Sequence, residues 1–522
     1  MTAAVPTADF QAVAVDYAAI APMLIVVGGA MIGVLVEAFA PRRTRHSAQA
    51  VLTTVTLLGA FAATVTWSRT NQTVTLGGSV VIDGVSVFLV GALLLLAAMS
   101  VLIMAERFGG VGADAFTPMG ASTPGSSQED VATRAGYATS EVFPLTLFAV
   151  LGMMVFLTAN DLITMFVGLE VLSLPLYVMT GLARRRRLLS QEAALKYFLL
   201  GGFSSAFFLF GTALLYGYAG SVDLRAIATT ISTAPGDLDG LLVPGVVLLL
   251  VGLMFKIGAV PFHSWTPDVY QGAPTPVTGF MAACTKLAAF GVILRVAFVG
   301  VGANRWDWQG GVYLIAILTM VVGAVLSVTQ TDVKRLLAYS SIAHAGFVLV
   351  GVLAFSQAAI GGVMFYLVAY GFATVAAFGM VAMVRQGGSE ASHLSQWAGL
   401  GRNHPVFAAT FSFLLLAFAG IPLTSGFTAK YAAFAPAVAT GASGALLVLI
   451  AVLASAITAF VYVRLIVLMY FTDPAADDDV VVLTPSIGST VGITVGVVAT
   501  VVLGITPSFL LQMASNASQF LL

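Results

Sequence analysis

Cysteine and charge are both scarce in this chain, and each shortage excludes a class of protein. Cys284 is the single cysteine, so no disulfide can form within the chain and an iron–sulfur cluster held by it is not expected. Charged residues make up 9% of the sequence, against about 25% in soluble domains. Lysine and arginine number 22 and acidic residues 23, so no basic excess indicates nucleic-acid binding. The sequence also lacks a haem motif and a glycine-rich nucleotide loop between a strand and a helix.

Hydrophobic residues are correspondingly abundant. They form 59% of the 522 residues, which predicts an all-α polytopic protein that uses lipid as its solvent. A membrane-spanning helix needs about 20 mostly apolar residues. We expect fourteen spans, near 17–39, 49–68, 83–105, 142–159, 161–182, 193–218, 241–262, 274–299, 311–329, 333–355, 361–384, 405–435, 446–471 and 488–512. The longest connection, 106–141, is rich in glycine, serine, threonine and proline, which predicts a flexible solvated loop.

The basic residues outside the spans lie mostly on one side of the predicted bundle. If the loop at 42–46 is cytoplasmic, alternation of the spans assigns these basic residues to the same side: Arg42, Arg43, Arg45, Arg107, Arg134, Arg184, Arg185, Arg186, Arg187, Lys334, Arg335, Arg385 and Arg402. The opposite side holds Arg69, Arg225 and Arg305. By the positive-inside rule, this bias predicts an even number of spans with both termini outside.

The spans divide the chain into four predicted parts. Residues 1–141 contain three spans and the Gly/Ser-rich cytoplasmic loop. Residues 142–299 contain spans four to eight, and 311–471 contain spans nine to thirteen. Residues 472–522 contain an acidic loop, which includes "DPAADDD", and the last span.

Several predicted spans carry ionisable side chains, and such a charge at the bilayer centre costs about 2.5–3.5 kcal/mol. Glu170 is the only clear buried acid, whereas Lys256, Lys286 and Lys430 are three buried bases, and His344 lies in the tenth span. A purely structural arrangement would pair the lysines better. Because burial disfavours the charged form of an amine, this set favours a chain of groups that take up and release protons.

Structural roles remain the alternative for each residue. Glu170 and Lys256 could form a brace between two helices, and His344 could be an ordinary core histidine. Arg295 and Arg464 lie near the ends of their spans, so we expect their side chains to reach the lipid headgroups.

Two spans contain helix-breaking residues in similar surroundings. The seventh reads "AVPFHSW" and is followed by a second proline, so Pro261 and Pro267 are expected to interrupt it. The twelfth reads "GIPLTSG", with Gly420, Pro422 and Gly426. Backbone freed by such breaks must be buried in protein or line a wet cavity. Broken helices at corresponding places in two halves are typical of inverted-repeat transporters.

Three motifs then identify a family. "KIGAVPFHSWTPDVYQGAPTPV", "DVKRLLAYSSIAHAGFVLVG" and "AGIPLTSGFTAKY" closely resemble the antiporter-like membrane subunits of respiratory complex I. The resemblance extends from about Glu141 to Arg464 and is strongest to the subunit N branch. It implies fourteen transmembrane helices, two inverted five-helix repeats, and discontinuous seventh and twelfth helices.

The resemblance also implies which residues carry protons. By motif, the relay positions of the family fall on Glu170, Lys256, His263, Lys286, His344 and Lys430. Glu170 and Lys256 would form an ion pair that a neighbouring subunit opens, and the proton would pass through His263 to Lys286. From there His344 would hand it to Lys430. A lysine at 430 favours subunit N over subunit M, whose members carry a glutamate there.

The implied function is proton translocation across a bacterial plasma membrane by a NADH–quinone oxidoreductase. NADH, flavin, iron–sulfur clusters and quinone are expected in other subunits, with no cofactor or metal bound by this chain. The implied partners are subunits M, J and K and membrane lipids, and nucleic acid is not among them.

Three other functions remain open at this point. A multi-subunit cation/proton antiporter shares the fold, but sodium would be better served by more intramembrane carboxylates than Glu170 alone. A non-transporting scaffold would tolerate charge substitutions without loss of turnover per assembled complex. An independent redox enzyme is disfavoured because the chain lacks cofactor ligands.

Overall fold

Helices form almost the whole fold, and most are long enough to cross a membrane. The computed structural model describes residues 13–108, 114–124, 126–135, 139–233, 239–474 and 479–521. Within these residues, 12 helices have the length and apolar composition of a membrane span, and Val142–Thr158 and Pro405–Ala419 are shorter apolar helices. These fourteen apolar helices correspond in order to the fourteen predicted spans, so the all-α polytopic fold is confirmed.

The helices of the first half follow in chain order. They are α1 (Tyr17–Phe39), α2 (Arg42–Ala63), α3 (Gly84–Met104), α4 (Ser127–Arg134), α5 (Val142–Thr158), α6 (Leu162–Thr180), α7 (Arg187–Ala219), α8 (Leu224–Thr233), α9 (Asp239–Ile257), α10 (Trp265–Gly272), α11 (Thr275–Phe280) and α12 (Lys286–Arg295). One π-helical turn, Met281–Thr285, joins α11 to α12, and others follow α2 and α12. Asp83 and Asp161 start α3 and α6 because each carboxylate accepts a backbone N–H three residues later.

The remaining helices also follow in chain order. It contains α13 (Arg305–Val328), α14 (Val333–Leu353), α15 (Gln357–Met383), α16 (Leu400–Asn403), α17 (Pro405–Ala419), α18 (Ser425–Val438), α19 (Ala442–Phe471), α20 (Ile487–Ile505) and α21 (Ser508–Ala517). The broken pair α9–α10 is the fourth span counted from α5, and α17–α18 is the fourth span counted from α13. The last span ends at Ile505, and the separate helix α21 covers part of the 488–512 stretch that we expected to be continuous.

Short strands lie between the helices. β1 (Thr73–Thr75) pairs antiparallel with β2 (Val80–Ile82), so that Val74 faces Val81. At the other end of the molecule, β3 (Val384–Gln386) pairs antiparallel with both β4 (Ser389–Glu390) and β5 (Val480–Val482). The second sheet therefore joins the connection after α15 to the connection before α20.

The connections that we assigned to one side of the membrane contact each other. Ser140 donates to Glu37, which also pairs with Arg45, and Arg186 donates to Ser392 at 2.7 Å. Ion pairs join further connections: Lys196–Asp268, Arg335–Asp268, Lys334–Glu390 and Arg402–Asp473. This grouping is what an alternating path through a bundle requires, and it brings most of the basic loop residues to one end of the molecule.

Part of the connection at 106–141 is packed, which corrects the expectation of a solvated linker. Asp114 and Phe116 are buried, and Asp114 forms an ion pair of 2.9 Å with Arg184. Burial raises the pKa of Asp114 even though Arg184 and two backbone N–H groups favour its charged form. Arg187 donates to Gly120 O and to Ser122 Oγ. Through these ion-pair and hydrogen-bond contacts, the arginine run at 184–187 holds this connection against the start of α7.

Arg295 corrects a second expectation, because its side chain does not reach the lipid headgroups. It is 1% exposed and forms a two-bond ion pair with Asp83, at 2.8 and 3.0 Å. The Phe520 ring lies 5.1 Å from its guanidinium carbon, and Leu521 N donates to Asp83. The pair therefore ties the end of α12 to the start of α3 and to the C-terminal segment. Arg464 remains exposed and donates to Val328 O.

Candidate functional site

The seventh span is broken between Ile257 and Trp265. Gly258 has a φ of +74°, and a Cβ there would lie 2.7 Å from Thr266 Oγ1. Thr319 Oγ1 accepts from Val260 N, and Trp265 Nε1 donates to the Phe255 carbonyl at 3.0 Å. Backbone groups freed by the break are thus bonded within the protein, as a membrane requires.

Only one of the two prolines expected to interrupt the seventh span lies in the break. Pro261 lies in the break, as expected. Pro267 lies in the first turn of α10 and does not interrupt a helix. Proline is accepted there because the first N–H groups of a helix have no intrahelical acceptor.

The twelfth span is broken between Ala419 and Ser425. Gly420 ends α17 with a φ of +83°, and Pro422 lies in the irregular segment. Gly426 is in the first turn of α18, where a Cβ would come within 1.8 Å of the Ala417 carbonyl. Glycine at 426 therefore permits the close approach of the two half-helices.

The Lys430 side chain, on α18, reaches into this second break and finds three hydrogen-bond acceptors there. Its Nζ donates to Phe418 O at 3.1 Å, Ala419 O at 2.8 Å and Ser455 Oγ at 2.6 Å. The two carbonyls belong to the C-terminal end of α17, where unpaired carbonyls and the helix dipole favour a cation. The Phe347 ring lies 5.1 Å away. The ammonium group is thus fully hydrogen-bonded without a carboxylate.

Lys286 and His344 are connected through α14. Lys286 Nζ donates to the Ser341 carbonyl, and His344 follows Ser341 by three residues, which places both on one face of the helix. Lys286 and Lys430 both interact electrostatically with the His344 ring. All three side chains are buried. The structure therefore brings the three residues of the second half of the predicted relay to one buried region around α14.

Glu170 and Lys256 do not form the ion pair that we expected. Lys256 Nζ donates to Ser173 Oγ at 2.8 Å and lies 5.6 Å from the Tyr197 ring centre. Glu170 Oε1 is buried without a hydrogen-bond partner, although its charge acts on Lys256. Ser173 follows Glu170 by one helical turn, so the hydroxyl takes the place beside the lysine that the carboxylate would otherwise fill.

His263 lies at the seventh-span break and is half-buried. Its ring centre is 6.5 Å from that of Tyr339, and its Nδ1 has no hydrogen-bond partner. Among the residues that the structure describes, no hydrogen bond joins His263 to Lys256 or to Lys286. The first half of the predicted relay is therefore not continuously bonded.

Sequence reasoning missed the neutral partners of the lysines. Ser173, Ser341 and Ser455 supply an oxygen to Lys256, Lys286 and Lys430 respectively. Ser173 had a signal, because it lies one turn from Glu170 on the same helix. Ser455 had none, since only the tertiary packing of α19 brings it to the break. In the described part of the chain, no group of three or more His, Cys, Asp or Glu side chains could hold a metal ion.

Known proteins resemble this chain over nearly its full length. The family model described as "NADH:quinone oxidoreductase/Mrp antiporter, TM" matches residues 159–458. NADH-quinone oxidoreductase subunit N of Rhodococcus opacus (strain B4) is 54% identical, over 99% of this chain and 98% of its own length. Subunit N 3 of Streptomyces griseus is 51% identical, over 100% and 97%.

Solved structures agree with the fold. A chain of respiratory complex I from Thermus thermophilus is 32% identical, with a TM-score of 0.75, and the match covers 95% of this chain and 99% of that one. A chain of the Mrp complex from Dietzia sp. DQ12-45-1b has a TM-score of 0.77 at 21% identity, with 95% and 96% covered. The second similarity concerns the fold alone.

Proposed function

This chain belongs to the NADH:quinone oxidoreductase/Mrp antiporter transmembrane family, and on that premise we propose a route for protons through its buried side chains. The chain is a membrane-arm subunit of a NADH–quinone oxidoreductase and takes part in proton translocation. The open question is which of its side chains carry the proton. The observation that supports our route is the line of buried lysines and His344, each lysine bonded only to neutral oxygens.

The route that we propose begins at Glu170 and Lys256. Movement of the Glu170 carboxylate toward Lys256 stabilises the ammonium form of the lysine, and its withdrawal removes that stabilisation. The arrangement of Lys256 on Ser173 corresponds to the withdrawn state. The proton then passes by way of His263 to Lys286. Water completes the first half of this path, since no protein hydrogen bond joins these groups.

The second half of the route runs from Lys286 through His344 to Lys430. Deprotonation of any of these lysines leaves no unpaired carboxylate behind, because its hydrogen-bond partners are serine or backbone oxygens. A lysine held in this way can exist in both protonation states without breaking a buried ion pair. A paired lysine would lose several kcal/mol of interaction on deprotonation.

We assign the redox chemistry to other subunits. NADH oxidation, the flavin, the iron–sulfur clusters and quinone reduction then lie outside this chain, which binds no cofactor of its own. Subunits M, J and K of the same complex are its proposed neighbours, together with lipids. The host membrane is the bacterial plasma membrane, with both termini on the outer side.

Pumping by lysine variants tests this route. In complex reconstituted into vesicles, Lys256→Ala and Lys286→Ala should reduce NADH-driven proton translocation at least about tenfold per assembled complex. Lys196→Ala is the matched control, because Lys196 is an exposed lysine paired with Glu192 and Asp268, and it should pump normally. Normal pumping by both buried-lysine variants would rule out the route.

A further inference from the structure

Tyr366 on α15 has a buried hydroxyl whose hydrogen-bond partner is His344. Its Oη lies 2.7 Å from His344 Nδ1, and both residues are almost inaccessible, at 2% and 3% exposure. Within the described residues, the hydroxyl has no other hydrogen-bond partner. A buried O–H without an acceptor is costly. In the neutral imidazole, Tyr366 therefore donates to Nδ1, and the ring proton is carried by Nε2.

The other ring nitrogen faces the twelfth-span break. His344 Nε2 is buried and has no hydrogen bond of standard geometry. The Phe418 carbonyl lies beside the His344 ring, and the same oxygen accepts from Lys430 Nζ at 3.1 Å. A small cavity opens here, and its lining includes His344, Tyr366, Tyr370, Phe418, Ser425 and Gly426.

We propose that Tyr366 is a positioning residue that holds His344 in the tautomer with Nε2–H directed at the Lys430 break. This inference rests on the proposed function, since it gives His344 a defined orientation within that route. The ring has tight packing as well, because Tyr370 and Phe347 contact it at ring-centre distances of 4.7 and 5.5 Å. Packing fixes the plane of the ring, and among the described residues the Tyr366 hydroxyl is the hydrogen-bond partner of Nδ1.

The hydroxyl serves both protonation states of His344. When the ring takes up a proton at Nδ1, the Tyr366 oxygen turns from donor to acceptor and its own hydrogen rotates into the cavity. Nε2–H then points toward the Phe418 carbonyl. Each N–H group of the cation therefore has an oxygen nearby, from Tyr366 at Nδ1 and from Phe418 at Nε2. One proton is gained and one is later lost, and no covalent bond of the tyrosine changes.

Other ionisable groups surround this pair and belong in the argument. Lys286 on α12 and Lys430 on α18 are the cations that act on His344, and Tyr370 on α15 is the other tyrosine in contact with its ring. Tyr462 on α19 contacts Ser340, one turn before His344, and in the described part of the chain no hydrogen bond or ring contact joins it to the imidazole. Tyr462 therefore offers a matched control, since it is another buried tyrosine with its hydroxyl bonded to α14.

A double-mutant cycle tests the proposal in the assembled, reconstituted complex. Tyr366→Phe keeps the ring volume and removes only the hydroxyl. We expect it to lower protons translocated per electron at least about threefold, with assembly unchanged, whereas Tyr462→Phe stays close to wild type. If Tyr366 acts through His344, adding Tyr366→Phe to His344→Ala should have no further effect.

A spectroscopic signature separates positioning from general packing. The imidazole band of His344, identified in the infrared spectrum by its loss in His344→Ala, should shift in Tyr366→Phe and stay unchanged in Tyr462→Phe. Normal pumping by His344→Ala would overturn the place of His344 in the proposed function. Impaired His344→Ala together with an unshifted band or an additive effect of Tyr366→Phe would overturn the positioning role and leave the route standing.

Discussion

Lys430 shows at the residue scale how a charge is accommodated inside this bundle. Its three acceptors are two backbone carbonyls at the end of α17, which the helix break leaves unpaired, and the Ser455 hydroxyl on α19. Lys256 and Lys286 likewise have oxygen partners without charge. Buried ions in structural roles normally have a counter-ion, as Arg295 does with Asp83. We propose that this contrast within one chain distinguishes proton-carrying residues from structural ion pairs.

Gly420 is the residue that leaves room for the Lys430 side chain. A Cβ at 420 would lie 3.0 Å from the Lys430 Cδ and 3.1 Å from its Nζ. We expect Gly420→Ala to displace the ammonium group and to reduce pumping several-fold at unchanged assembly. Gly220→Ala is the control, because Gly220 also has a positive φ, of +66°, but has nothing within 4 Å of its Cβ position.

Both alanine variants carry the same backbone strain of about 1–2 kcal/mol. Their comparison therefore isolates the contact with Lys430. Equal loss of pumping in the two variants would mean that strain alone is responsible, and the position of the ammonium would then not matter.

The Arg295–Asp83 pair predicts a stability effect. Asp83→Asn retains an oxygen to start α3 but removes the buried counter-charge of Arg295. The unpaired guanidinium should lower the free energy of unfolding by about 3–5 kcal/mol. We expect a lower thermal midpoint for the detergent-solubilised variant, and recovery of most of it in the double variant Asp83→Asn/Arg295→Met. A double variant no more stable than the single one would contradict the pairing argument.

At the element scale, the broken spans place polar groups inside the bundle, and the connections hold the ends of the helices together. Each break sets half-helix ends inside the bundle, and α14 lies between them, with Ser341 bonded to Lys286 and His344 directed toward α17. The β3–β4 hairpin lies at one end of the same helix. Lys334, in the first turn of α14, pairs with Glu390 and also donates to the Ala273 carbonyl. The hairpin is thereby tied to the starts of α14 and α11.

Glu390 makes this attachment dependent on pH. Burial by itself would raise the pKa of Glu390, but Lys334, Arg385 and a hydrogen bond from Thr275 outweigh it and lower the pKa from 4.5 to about 2. A carboxylate with a lowered pKa stabilises the folded state above its ordinary pKa and loses that contribution as the pH falls toward the folded value. The attachment should therefore weaken between pH 4.5 and 2.

Hydrogen exchange of the hairpin amides measures this effect. Protection of residues 384–391, corrected for the intrinsic exchange rates, should fall across that acidic interval in the native chain. Glu390→Gln should show low protection that varies little with pH over the same interval. Parallel curves for the two proteins would indicate that another group controls the attachment.

The sequence predicted much of the whole molecule and less of its polar contacts. Apolar length located every span, because lipid imposes that length on each helix independently of its neighbours. The helix breaks could be predicted because proline and glycine disturb a helix at their own position, whatever the tertiary packing. The partner of Arg295 and the oxygen that holds Lys430 depend on helices distant in sequence, and no local pattern encodes them. The expected Glu170–Lys256 pair is absent for a different reason, because Lys256 donates to Ser173, one turn from Glu170 on α6.

The orientation of the whole bundle is the remaining prediction at this scale. Basic loops gather at one end of the molecule, which we assign to the cytoplasm by the positive-inside rule. Gln128, on α4 at that end, and Thr70, beyond α2 at the other end, are both exposed. The native Cys284 is buried, so a cysteine introduced at either position would be the one that reacts readily. A membrane-impermeant maleimide should label Gln128→Cys on this chain only in inverted vesicles and Thr70→Cys only in right-side-out vesicles. The opposite pattern would reverse the orientation while leaving the fold intact, and it would place the termini in the cytoplasm.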